Sequence, residues 1–260
     1  MISIAIAYYN RKAHFLNTLR SMKKSKYKDF EVIVVDDGSD DVHRIKDLEK
    51  EFGFLRVIRI EKHEKRHTNP CVPFNIAIGE TKGDIIIIQN PETLHYNDVL
   101  DYTANHIDKN KYLAFTTTNK DIMNVLNGFN WNEKEITDVI KIHFNDTMNN
   151  QWYCHRLFRP EAYNFCTAIT REDLKELNGF DERYAFGIER DDVEFLTRIK
   201  RKGMNIVFVD DVIVIHQKHA LFNYQNPRLN ELRNYNHRLF AQTTAIENII
   251  KVNPTKTIIQ

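Results

Sequence analysis

Four short, β-branched apolar runs dominate the first third of the chain: Ile2–Ala7, Glu31–Val35, Leu55–Ile60 and Asp84–Ile88. Helical spacing separates them, first Phe15, Leu16, Leu19 and Met22, then Val42, Ile45, Leu48 and Phe52, then a segment from about Pro73 to Thr81. Strands that read as continuous apolar runs have both faces covered, which is the pattern of a parallel sheet with helices packed on each side. Right-handed crossovers put the carboxyl ends of such strands on one edge, where ligands of open α/β sheets bind. Four polar segments therefore meet in one crevice: Tyr8-Tyr9-Asn10, Asp36–Asp40, Glu61–Arg66 and Gln89–Glu92.

Beyond that point the pattern weakens. The stretch from 120 to 165 is rich in Asn, Trp and Tyr, as in a loop-rich region facing substrate, with Trp131 and Trp152 as aromatic faces for a ligand or as core residues. Thr170 reads as the N-cap of a helix over Arg171–Leu177. After the loop Asn178–Glu189 comes a helix over Asp191–Lys202 closed by Gly203, then short strands at Ile206–Val209 and Val212–Ile215. His216 begins a polar, aromatic tail, read as a mobile loop near 217–227 and a helix from about 228 to 250. No repeat or Gly/Ser linker interrupts the chain, so one domain is expected: 1–216 as its body, divided into 1–118 and 119–216, with 217–260 a C-terminal lid loop and helix of the same domain.

Composition narrows the function. Lys+Arg (37) nearly cancels Asp+Glu (36) in 260 residues, and a net charge of +1 is not that of a nucleic-acid binder. No run approaches the roughly 18 apolar residues of a membrane span, and the start lacks a basic n-region, so a cytoplasmic location is expected. Cys71, Cys154 and Cys166 include no CxxC, which disfavours a zinc site or a disulfide scaffold. With eight glycines, none in GxGxxG, GxxxxGK[ST] or GxSxG, dinucleotide, P-loop and serine-hydrolase readings fail. On local grounds Asp36-Asp37-Gly38-Ser39 is either a set of acceptors for a base edge or ribose hydroxyl, or an ordinary turn with Asp40 or Asp41 as N-cap.

Taken together, the motifs resemble the inverting family 2 glycosyltransferases. The carriers are Ile4-Ala5-Ile6-Ala7-Tyr8-Tyr9-Asn10, Phe30–Ser39, Asn75-Ile76-Ala77-Ile78 with Gly83-Asp84-Ile85-Ile86, and Asn178-Gly179-Phe180-Asp181-Glu182 with Glu189-Arg190-Asp191-Asp192. The resemblance covers about 1–216. It implies the GT-A nucleotide-diphospho-sugar transferase fold, an α/β architecture with a mostly parallel central sheet and helices on both faces. It also implies transfer of a hexose or N-acetylhexosamine from a UDP-sugar to a hydroxyl of a glycan or glycoconjugate.

The same resemblance implies the site. Ala7, Tyr8 and Asp37 would hold the uracil, Arg66 (with His67 behind it) would reach the ribose or diphosphate, and Asn75 would orient the intervening loop. Aligning on Arg198 places Asp192 at the general-base position and Asp191 at the acceptor-binding position beside it, with Glu189 as nearest competitor. The sequence departs from the family at Gln89-Asn90-Pro91-Glu92, where a DxD-type acidic motif is usual. Gln89 and Asn90 would contact the nucleotide as amides, and Glu92 with His216 would hold Mn²⁺ (or Mg²⁺). That departure motivates an alternative, a nucleotide-sugar-binding domain without turnover.

Overall fold

A computed structural model of the chain describes residues 1–120, 152–219 and 227–259. The strands are β1 (Ile2–Tyr8), β2 (Phe30–Asp37), β3 (Leu55–Ile60), β4 (Ile85–Gln89), β5 (Thr93–His95), β6 (Lys111–Lys120), β7 (Trp152–Cys154), β8 (Cys166–Thr170) and β9 (Asn205–Gln217). The helices are α1 (Lys12–Lys23), α2 (Cys71–Gly79), α3 (Val99–His106), α4 (Arg171–Leu177), α5 (Asp191–Arg201) and α6 (Leu229–Gln242). One sheet runs in the order β3-β2-β1-β4-β8-β6-β9-β5, with β7 alongside β6. The pairings orient β1, β2, β3, β4, β6 and β9 one way and β5, β7 and β8 the other.

Strand alternation distributes the apolar residues between two cores. Ile2, Ile4 and Ile6 of β1 and Val32 and Val34 of β2 face α1, meeting Phe15, Leu19 and Met22, and share that core with Val99 and Leu100 of α3. Ala5 of β1 and Ile33 and Val35 of β2 face the opposite side, where Phe74, Ala77 and Ile78 of α2 pack with residues of α4 and α5. Helices cover both faces, as the apolar runs required.

Several elements differ from the sequence reading. The spacing from Val42 to Phe52 forms two 3₁₀ turns, Asp41–His43 and Lys46–Lys50, in place of an α-helix. Ile45, Leu48 and Phe52 are buried, but Val42 is 80% exposed. Tertiary bonds override the helix: Tyr8 Oη donates to the His43 carbonyl, and the Glu49 carboxylate accepts from the Val57 amide. The two short strands after α5 are one strand, β9, which keeps pairing with β6 through a register shift at Phe115/Thr116. β5, β6, β7, β8 and α3 are absent from the sequence reading. Helix α6 ends at Gln242, and a π turn over Thr243–Glu247 follows, so the expected extension to 250 is absent.

Thr170 caps α4 as expected, accepting from the Asp173 amide. At its other end Asn178 adopts the left-handed conformation (φ 58°), and its side chain bonds the carbonyls of Val252, Asn253 and Lys256. No helix among the described residues is long and apolar enough to cross a membrane.

Candidate functional site

The carboxyl ends of β1, β2 and β4 form the expected crevice, and Asp37 stands at the end of β2. Its carboxylate is gripped on both oxygens, by Lys65 Nζ at 2.6 Å and His67 Nε2 at 2.7 Å. The Lys65 ammonium also lies 4.9 Å from the Tyr9 ring centroid. Neighbouring Asp36 is a structural anchor, paired with Arg59 at 2.6 Å and accepting from the Ser39 amide.

The structure corrects two of the expected contacts, Tyr8 and Gln89, and gives Arg66 and Asn75 the following surroundings. The Tyr8 ring packs on Phe15 inside the core and its hydroxyl is spent on His43, so Tyr9 is the aromatic side chain beside Asp37. Strand alternation decides this, because Tyr8 shares a face with Ile4 and Ile6. Arg66 is exposed and donates to the His63 carbonyl, whereas His67 turns in to Asp37. Asn75 is buried in α2, donates to the Phe180 carbonyl and accepts from the Phe180 amide. It therefore clamps the 178–182 loop, where the loop between Asp37 and Arg66 was expected. A Cβ on Gly179 (φ +74°) would lie 2.5 Å from Asn75 Oδ1, so glycine is required there on two counts. Gln89 is sealed in the core: it donates to the Thr93 carbonyl and pairs with His95 Nε2 at 2.7 Å. Burial pushes His95 down to about 3, so that ring is neutral and donates to the Gln89 oxygen. Ala7 lies at the end of β1, opposite Val35 of β2, and Asn90 lines the cavity described below.

Past Gln89 the chain turns, and Glu92 gathers three cationic or imidazole partners. His216 Nε2 and His219 Nε2 lie 3.0 and 3.2 Å from Glu92 Oε1, and Arg11 Nη1 lies 3.1 Å from Oε2. Burial pushes the Glu92 carboxyl up, but Arg11, His216 and His219 outweigh it and hold the group well below the usual carboxylate range. β9 delivers His216 beside β5, opposite Thr93, and the chain leaving the strand brings His219 back. The three potential ligand atoms lie within 4.8 Å of one another. Two imidazole nitrogens with one carboxylate oxygen suit a borderline divalent ion better than Ca²⁺. Arg11 Nε, buried and without a partner, leaves an unused donor beside the cluster for an anion. Only Glu92 and His216 were expected. His219 carried the readable signal of a second histidine three residues on.

The second wall is the start of α5. Asp191 and Asp192 line a cavity of about 190 Å³ together with Asn90, Tyr163, Phe165 and Glu189. Ligand pockets are commonly about 300–1,000 Å³, so this space suits one sugar-sized portion of a larger ligand. The Phe165 ring reaches the His216 ring at 5.6 Å, joining the cavity to the Glu92 cluster. Burial pushes both aspartates up, and their mutual repulsion adds to the effect at Asp191. Asn69, itself buried, donates to Asp191 Oδ1 at 2.9 Å. Thr68 bonds the Ala185 and Gly187 carbonyls, so residues 65–69 strap the Asp37 side of the crevice to the Asp191 side. Glu194 and Arg198, one turn apart on α5, form a buried ion pair away from the cavity. Trp152 sits in β7 with its ring 5.9 Å from Phe158; Trp131 and most of the 217–227 loop lie outside the described residues.

Comparison with known proteins agrees with this fold. The model of glycosyl transferase family 2 matches residues 3–177, and that of the N-terminal domain of galactosyltransferase matches residues 156–220. An uncharacterized glycosyltransferase of Rickettsia conorii is 26% identical over 118 residues, 45% of this chain and 19% of that protein. One of Rickettsia felis is 25% identical over 46% of this chain and 19% of its own length. The chain thus spans about a fifth of the curated relatives it matches. Among solved structures, mannosyltransferase PcManGT from Pyrobaculum calidifontis in complex with GDP-Man and Mn²⁺ superposes with a TM-score of 0.59 at 17% identity, over 98% of this chain and 66% of that one. S. aureus TarS 1–349 in complex with UDP-GlcNAc gives 0.58 at 16% identity, over 85% and 59%. The fold is therefore that of the GT-A glycosyltransferases.

Proposed function

The chain belongs to glycosyl transferase family 2, and from that premise we propose that it moves a hexose or N-acetylhexosamine from a UDP-sugar to a hydroxyl of a glycan or glycoconjugate, with inversion. The observation that carries the reading is the pair Asp191-Asp192 lining one cavity with Asn90, next to the Glu92–His216–His219 cluster.

Asp192 is the general base. An ordinary carboxylate is a weak proton acceptor near neutrality, and burial strengthens this one by raising its affinity for the proton. As the acceptor oxygen bonds the anomeric carbon, its proton passes to Asp192, and the carbon–oxygen bond to the diphosphate breaks on the opposite face. Asp191, oriented by Asn69, receives the acceptor. Asp37, with Lys65, His67 and Tyr9, forms the nucleoside end. Glu92, His216 and His219 would hold Mn²⁺ (or Mg²⁺), which supplies positive charge to the leaving diphosphate. Arg11 Nε is placed to donate to the same anion.

The alternative of a binding domain without turnover drew on Gln89. With Gln89 in the core, the acid available at this edge is Glu92, and its loss of a neighbour carries no weight against catalysis. The decisive experiment is Asp192→Asn, assayed for transfer and, by calorimetry, for UDP binding with Mn²⁺ and with EDTA. Transfer is expected to vanish while UDP binding persists; surviving transfer would reject Asp192 as the base.

A further inference from the structure

Helix α5 begins without a side-chain cap. Its direction is set instead by two consecutive left-handed residues, Glu189 (φ 65°) and Arg190 (φ 72°), immediately before Asp191-Asp192. Residues with side chains hold that conformation only when their surroundings impose it. Most of the contacts on it come from α6, which lies outside both matched family regions; from the other side Asn69 Nδ2 donates to the Glu189 carbonyl at 3.4 Å.

Arg233, Asn236, His237 and Phe240 fall at i, i+3, i+4 and i+7, one stripe of α6, and all four meet the turn. Arg233 Nε donates to Glu189 Oε1 at 2.7 Å, and His237 Nε2 lies 3.9 Å from Glu189 Oε2. The Arg190 guanidinium lies over the Phe240 ring at 5.4 Å. Asn236, fully buried, donates to the Glu189 carbonyl at 2.7 Å and to the Tyr184 carbonyl at 3.2 Å. Its packing is tight, because a Cβ on Gly187 would stand 2.1 Å from Asn236 Oδ1.

We propose that α6 is the positioning element for the base, and that Asn236, through the Glu189 carbonyl, fixes the backbone from which Asp192 projects. The proposal rests on the assignment of Asp192 above. Asn236 touches no reacting atom; it acts by holding a turn that would otherwise relax toward right-handed conformations and carry the carboxylates away from Asn90 and Phe165. A displacement of about 1 Å at such a group costs on the order of 100-fold in rate.

The test uses the full chain as wild type, Asn236→Ala, Arg233→Ala and Arg233→Lys. Turnover is read with whichever of UDP-glucose, UDP-galactose, UDP-GlcNAc and UDP-GalNAc the wild type consumes. UDP affinity is read by calorimetry, and the Asp191 and Asp192 carboxyls by ¹³C titration. Asn236→Ala is expected to lower kcat roughly 30–100-fold with KM and UDP affinity held within about twofold. Its carboxyl titration should move toward ordinary values as the turn relaxes. Arg233→Ala should show a smaller loss that Arg233→Lys restores. An unmoved titration in folded Asn236→Ala protein overturns the proposal whether or not a donor is found, as does an unchanged kcat where one is. Loss of kcat here alongside full activity in Asp192→Asn would instead reject the base assignment.

Discussion

Replacing Arg198 with methionine tests how the acceptor-side loop is held. The guanidinium is wholly buried. It donates to Glu194 Oε1 at 2.6 Å and Oε2 at 2.9 Å, and to the carbonyls of Leu177 and Gly179 at 2.9 Å each. Arg198→Met leaves Glu194 as an unpaired buried charge, a change that costs about 3–5 kcal/mol when one partner of such a pair is removed. For a chain of this size each kcal/mol corresponds to about 2–4 °C, so the melting temperature should fall by roughly 6–20 °C. Adding Glu194→Met removes the stranded charge and leaves mainly two unpaired carbonyls, so about 2 kcal/mol should return. Urea unfolding with unchanged m-values reads both steps. A single variant within about 1 kcal/mol of wild type, or a double variant less stable than the single one, would refute the reasoning.

Gln89→Asp, which restores the acidic residue expected of the family, should cost about 1–3 kcal/mol and leave Mn²⁺ affinity unchanged, because position 89 faces His95 and Thr93 in the core; chemical denaturation and calorimetry check the two parts. His219→Ala should weaken Mn²⁺ binding by at least about tenfold, read by electron paramagnetic resonance; unchanged affinity would remove His219 from the ligand set. Burial raises the Asp191 and Asp192 carboxyls, so the folded state holds their protons more tightly than the unfolded chain. The stability this lends is complete below the unfolded value of about 3.9 and is lost as pH rises through the raised folded values. Asp191→Asn should therefore flatten the fall in melting temperature between about pH 4 and neutrality, while wild-type turnover climbs over the same range.

The parallel half of the sheet was legible because its strands are buried on both faces, and burial of that kind writes itself as continuous β-branched runs such as Ile2–Ala7 and Ile85–Ile88. α4 and α5 were legible to within a residue through Thr170 and Gly203, local signals that need no tertiary partner. Asp37, Glu92, His216, Asp191 and Asp192 were nameable because the motifs around them resemble those of family 2. Which neighbours they keep was not. Tyr8 and Tyr9 differ only in the face of a pleated strand, and the pairing of β1 with β2 and β4 decides which one turns inward. Gln89 reads as a nucleotide contact until the core closes on it, and Asn236 reads as one polar residue in a helix until α6 docks on Glu189. Local pattern sets an element's type and its buried stripe. Contacts between residues 47, 124 or 203 positions apart, as in Asn236–Glu189, Glu92–His216 and Gln217–His14, exist only once the chain is packed.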